Sequence, residues 1–125
     1  MIQVSDEEFE KFVAEAMDAI PDKYYEKIKN VVFVAEDQPS NEQRRKLKLR
    51  CDQTLYGLYE GIPLDKRGSN YNLVLPDKIT IFKQPMEASC NSIIELKQQI
   101  HKTVWHEVAH YFGLSHADMD KLGGI

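Results

Sequence analysis

From the start of the chain, apolar side chains recur at helical spacing: Phe9, Phe12, Val13, Ala16 and Ile20 share one face, with polar residues between them. Ser5 and Glu8 form an S-x-x-E capping box, whose side chains satisfy the free N–H groups of a helix start. Pro21 restarts the chain, and Pro21 to Ile28 suits a short second helix with proline in its first turn. Val31-Val32-Phe33-Val34 is short and β-branched and reads as a buried strand. Asp37 to Glu42, with Pro39, Ser40 and Asn41, reads as a loop. Thr54 to Tyr59 reads as a second strand ended by Gly61-Ile62-Pro63, and Asp65 to Asn72 as a polar surface loop. In Asp77 to Phe82, Ile79 and Ile81 alternate with Thr80 and Phe82, the period of a third strand. The last element is the longest. Ser92 and Glu95 form another capping box, and Ile93, Leu96, Ile100, Val104, Val108 and Phe112 recur at intervals of three or four. They predict a helix of about five turns whose apolar stripe packs on the sheet. Gly113 ends it, because glycine takes the left-handed conformation after a helix without steric cost. The pattern is that of an α+β protein: a small mixed β-sheet, N-terminal helices and a long C-terminal helix.

Composition narrows the class. The chain has 125 residues, 42% of them hydrophobic, and 16 Lys+Arg against 20 Asp+Glu give a net charge of −4. The expectation is one domain over residues 1–125, large enough to bury roughly two-thirds of its unfolded surface without disulfides. No apolar run approaches the roughly 18 residues of a membrane span, and the start lacks the basic and apolar regions of a signal peptide, so a cytoplasmic protein with no membrane partner is expected. Cys51 and Cys90 then read as free thiols in core or near-surface positions, with no partner pattern for zinc. The negative charge argues against wholesale nucleic-acid binding. Arg44, Arg45, Lys46, Lys48 and Arg50 form a local basic cluster, read first as a solvated face or connector and second as a phosphate or RNA contact.

The chemistry lies on the last helix. His106-Glu107-Val108-Ala109-His110, followed by Gly113 and His116, spells H-E-x-x-H-x-x-G-x-x-H. His106 and His110 lie about 40° apart and one turn along, so their imidazoles can converge on one ion. Glu107 is about 100° round from His106, off the ligand plane but within reach of a water on the metal. Gly113 lets the chain turn back, and His116 can then approach as a third ligand. Three imidazoles and a water make the open site used for catalysis, for which zinc is the expected metal. By chance a bare H-E-x-x-H arises in roughly one chain of this length in a few hundred, and the added Gly and His lower that by a factor of hundreds. His116 has a plainer reading as the first residue of a short terminal helix capped by Ser115 and Asp118. His101 lies about 140° from His106 and 180° from His110, so it cannot reach the same ion from a straight helix; it reads as a surface or supporting residue.

This motif is the metzincin signature, and the whole chain resembles the small bacterial zincin-like proteins described as minimal zinc metallopeptidases. The resemblance runs through Gly57-Leu58-Tyr59-Glu60-Gly61-Ile62-Pro63-Leu64, Leu75-Pro76-Asp77-Lys78-Ile79-Thr80-Ile81-Phe82 and His106 to Gly113. It implies a zincin-like α+β domain with His106 and His110 as metal ligands and Glu107 as base. Many members carry an acidic residue where this chain has His116. The chain departs from true metzincins in having nine residues after His116, with Met119 too close for a Met-turn and read as local packing. The downstream glutamate ligand of gluzincins is absent as well, Asp118 and Asp120 being the acidic residues that follow the motif.

The leading expectation is a zinc-dependent metallopeptidase, a hydrolase in which a metal-activated water attacks the peptide bond with Glu107 as general base. Its partner is a peptide or protein substrate, an extended strand pairing with the sheet edge. A second copy or another partner could complete a cleft wall the short C-terminus leaves unbuilt. Tyr59, Tyr71 and Tyr111 have the chemistry of an oxyanion-stabilising group, with a packing role as the plainer reading of each. Two rival classes remain. A metal-dependent endoribonuclease would use three histidines at the same spacing with the basic cluster on phosphates, although Glu107 is a peptidase-type base. A non-catalytic zinc-binding interaction module would keep the site without turnover.

Overall fold

The computed structural model describes residues 1–47, 55–61 and 76–114. Helix α1 spans Asp6–Asp18, α2 Asp22–Tyr25, strand β1 Val31–Glu36, helix α3 Asn41–Lys46, strand β2 Gly57–Glu60, strand β3 Asp77–Phe82, helix α4 Lys83–Ser89 and helix α5 Ile93–Phe112. The α+β expectation holds. The sheet is mixed, in the order β1-β3-β2: β1 runs parallel to β3, and β2 antiparallel to it.

Central strand β3 carries the burial. Ile79, Ile81, Thr80 and Phe82 are all buried, because both faces of a central strand are covered. Register sorts the faces: Phe33 pairs with Ile79, and Tyr59 with the same residue from the other side, so these positions share one face. That face joins Leu96, Ile100, Val104 and Val108 of α5 and Phe9, Phe12 and Val13 of α1 in one core. Each such side chain taken fully from water stabilises the fold by about 1.5–3 kcal/mol before entropy is counted.

Helix α1 starts as its sequence dictates. The Ser5 hydroxyl accepts the Glu8 backbone N–H at 3.1 Å, and three acidic residues in the first turn face the positive end of the helix dipole. At α5, the Ser92 hydroxyl accepts the Glu95 N–H, while the Glu95 carboxylate reaches one residue further back, to the Asn91 N–H at 2.8 Å. Gly113 closes α5 with φ 74° and ψ 24°, the left-handed conformation expected of it. The stripe of α5 is buried from Leu96 to Val108 and packs on α1 as well as on the sheet, whereas Ile93 at its start is exposed.

Two local expectations are corrected, and one helix is added. Among the described residues, strand β1 is an edge strand with no fully buried residue, and Val32 is exposed, because a short β-branched run does not distinguish an edge from a centre. The Asp37–Glu42 loop gives way at Asn41 to α3. Ser40 accepts the Gln43 N–H, and the Gln43 side chain accepts the Ser40 N–H at 2.9 Å, a complete capping box. Helix α4 has no counterpart in the sequence pattern; it follows β3 with no intervening loop and buries only Met86 and Glu87. The second helix is a single turn with Pro21 as its N-cap. The Thr54 end of the second expected strand, the Asp65–Asn72 loop, Lys48, Arg50, Cys51, Tyr71, His116, Asp118, Met119 and Asp120 lie outside the described residues. Cys90 is a buried free thiol. No helix among the described residues is long and apolar enough to cross a membrane.

Candidate metal centre

The site is built on the last two turns of α5. Val104 and Val108 anchor that part of the helix to the core, and Trp105 packs edge-on to Tyr24 at 5.1 Å between ring centroids. Tyr24 also meets Phe112, so α2 and α5 are held together by aromatic contacts. His106 and His110, one turn apart, stand with their side chains 40% exposed, while Glu107 between them is only 7% exposed. The backbone is thus fixed by packing, and the two imidazoles reach solvent.

His106, Glu107 and His110 each bring a ligand-type atom within 4.8 Å of the others. The imidazole rings lie 4.5 Å apart between centroids. Glu107 Oε1 is 3.4 Å from His110 Nδ1, and Oε2 is 4.0 Å from His106 Nε2. The carboxylate raises the His110 pKa above the ordinary imidazole value by hydrogen bonding, against the opposing effect of partial burial, and its negative charge adds to the rise. The donor chemistry fits a divalent ion of the zinc type: two neutral imidazole nitrogens with a buried carboxylate beside them. Among the described residues, His101 is not part of the group, as its angle on the helix required.

What encloses Glu107 comes from elsewhere in the sequence. Strand β2 crosses α5 at Gly57, and a methyl group added there would lie 2.5 Å from Thr103 Cγ2 and 3.2 Å from Glu107 Cγ. Only glycine lets strand and helix approach this closely, and the approach seals Glu107 on one side. The motif spacing gave no hint of this, since Gly57 is distant in sequence; a glycine inside a β-branched and aromatic run was the available signal.

Beside Glu107, a cleft of about 350 Å³ opens between β2 and α5. Leu55, Tyr56 and Gly57 form one wall; Gln99, Lys102, Thr103 and His106 form the other. The basic residues of α3 lie elsewhere: Arg44 lines a separate hollow with Met1 and Gln84, and Lys46 another with Glu36 and Glu60. Of the tyrosines considered as oxyanion donors, Tyr59 and Tyr111 have structural partners, and Tyr71 lies outside the described residues. Tyr59 donates to Asp77 Oδ2 at 2.6 Å, and the buried Tyr111 donates to the Lys29 carbonyl at 3.3 Å.

Comparison with known proteins follows the same line. A conserved hypothetical protein from Thermus thermophilus superposes with a TM-score of 0.56 at 16% identity, over 96% of this chain and 98% of that one, which is a likeness of fold. No curated protein matches the chain. The family model for zincin-like metallopeptidases matches residues 28–124, a span that includes all three strands and α5, and the chain belongs to that family.

Proposed function

We propose that the protein is a zinc-dependent peptidase whose metal is held by His106, His110 and His116, with Glu107 as general base, in one minimal zincin-like domain over residues 1–125 acting in the cytoplasm. The observation that carries this reading is the buried Glu107 carboxylate 3.4 Å from one solvent-facing imidazole and 4.0 Å from another. A bound zinc supplies Lewis-acid polarisation of the scissile carbonyl and a lowered pKa for water.

The chain's own residues do the rest. The core behind α5 holds His106 and His110 one turn apart, as convergent donors need. Glu107 accepts a proton from the attacking water at a carboxylate oxygen and delivers it to the departing amine. Gly57 and Thr103 close water away from the inner side of that carboxylate, which strengthens its electrostatic interactions. Among the described residues β2 pairs on one side only, with β3. An extended peptide laid along its other edge receives backbone hydrogen bonds beside the cleft. Peptide bonds in peptide or protein substrates are therefore the targets.

Metal analysis of the purified protein together with digestion of a peptide library tests this reading. One zinc per chain with cleavage abolished by chelation and restored by zinc is expected. Zinc without turnover of any peptide would overturn the assignment in favour of a metal-binding module.

A further inference from the structure

The cleft beside Glu107 has an uneven distribution of charge. Among the described residues, Lys102, His106 and Glu107 line it together with the Tyr56 phenol. Glu107 and His106 belong to the metal-site group, the carboxylate facing both His110 and His106. Lys102 is different. The lysine ion pairs among the described residues join Lys78 to Glu36, Lys83 to Asp6 and Lys97 to Glu15, and Lys102 takes part in none of them. Its neighbour Gln99 is occupied with Thr103, donating to its hydroxyl at 3.1 Å. Among the described residues, the cleft therefore offers an incoming chain a solvent-facing ammonium that is in no ion pair.

Position gives this charge a register. Lys102 precedes His106 by four residues on one helix face, about 6 Å along the axis. An extended peptide advances about 3.3 Å per residue, so that displacement corresponds to two residues of a bound strand. A lysine stem is long enough to cover the difference either way.

We propose that Lys102 is a specificity-determining residue that selects peptides carrying a carboxylate side chain within two residues of the scissile bond. The proposal rests on the peptidase reading above. It assigns that site a substrate class, acidic peptides, even though the chain as a whole is negatively charged and would otherwise repel them.

Peptide hydroxamates separate the two readings, because they report binding without turnover. The probes are acetyl-Ala-Asp-hydroxamate, acetyl-Asp-Ala-hydroxamate and acetyl-Ala-Leu-hydroxamate, titrated calorimetrically into the zinc-loaded protein. At least one aspartyl probe should bind more tightly than the leucyl probe by roughly two- to fivefold, the range of a solvent-exposed ion pair. Lys102→Gln should erase that ratio and Lys102→Glu reverse it. Lys97→Gln, the same charge change on the flank of α5 that faces α1, should leave it intact. Equal affinities for all three probes, or a preference that survives Lys102→Gln, overturn the proposal and leave the peptidase reading standing. Failure of every hydroxamate to bind the zinc-loaded protein overturns both.

Discussion

Two helices of this protein each bury a glutamate, and the two residues do opposite things. On α4, Glu87 is 8% exposed and its carboxylate accepts the backbone N–H of Val4 at 2.8 Å, fastening the N-terminal segment to the body of the protein. On α5, Glu107 is buried as well and faces the side chains of His106 and His110 beside an open cleft. Burial alone therefore marks neither one. A backbone amide is a fixed partner that can neither take up nor release a proton, so Glu87 is a fastening. Imidazoles can exchange a proton or hold an ion, so Glu107 sits among groups able to do chemistry.

Mutation at the two positions should separate them most widely. Glu107→Gln is expected to lower peptide turnover by roughly 10²- to 10⁴-fold, the usual contribution of a general base, with little change in melting temperature. Glu87→Ala should do the reverse: cleavage per folded molecule is retained, while stability falls by about 1–3 kcal/mol because the Val4 N–H loses its acceptor. Denaturant titration and peptide cleavage on the same preparations check both.

Removing the imidazoles sharpens the contrast from the metal side. His106→Ala and His110→Ala should each weaken zinc by more than the roughly 10- to 100-fold that follows loss of an outer partner of a ligand. Competition with a chromophoric chelator measures it, and the Glu87 variant provides the control.

Gly57→Ala acts on only one member of the pair. The added methyl would have to displace Thr103 and Glu107, and overpacking of this kind costs about 1–3 kcal/mol. Cleavage should fall beyond what the lost stability explains, since the strand that seals Glu107 must move away from it. Turnover equal to that of the unmodified protein would show that the seal has no catalytic consequence.

The smallest expected effect is on pH. Glu107 raises the His110 pKa in the metal-free protein, which favours the imidazolium, and a ligand must lose that proton to bind zinc. Zinc affinity should therefore weaken on acidification from a pH above the ordinary imidazole value of about 6.5, and in Glu107→Gln the onset should move down towards that value. Without metal, the same contact contributes stability that is fully present below the unfolded imidazole value and is lost as pH rises through the raised one. An onset identical in the two proteins would remove the Glu107–His110 contact as its cause.

Much of this was legible in the sequence, because the signals were local. The six apolar positions from Ile93 to Phe112, the Ser92 cap and Gly113 placed α5 to within a residue, and the four-residue spacing placed His106 and His110 on one face. What stayed hidden depends on contacts between segments far apart in the chain. β1 lies at the edge and β3 in the centre, which their apolar content does not reveal, since it is the neighbours that decide. Helix α4 buries two residues and has no side-chain cap, so it left almost no periodic trace. The start of α3 was written plainly in Ser40 and Gln43, but Pro39 and the polar residues around them read more strongly as loop. Gly57 acquires its role only because the fold brings β2 across α5 at Glu107.

Glu107 stands close enough to both histidines to be a third metal ligand as easily as a base, and zinc affinity of Glu107→Gln, measured beside its turnover, separates these roles. A base that is not a ligand predicts a Kd for zinc within a few-fold of the unmodified protein together with lost cleavage. Zinc weakened as severely as by loss of His110, or cleavage that persists, would contradict it.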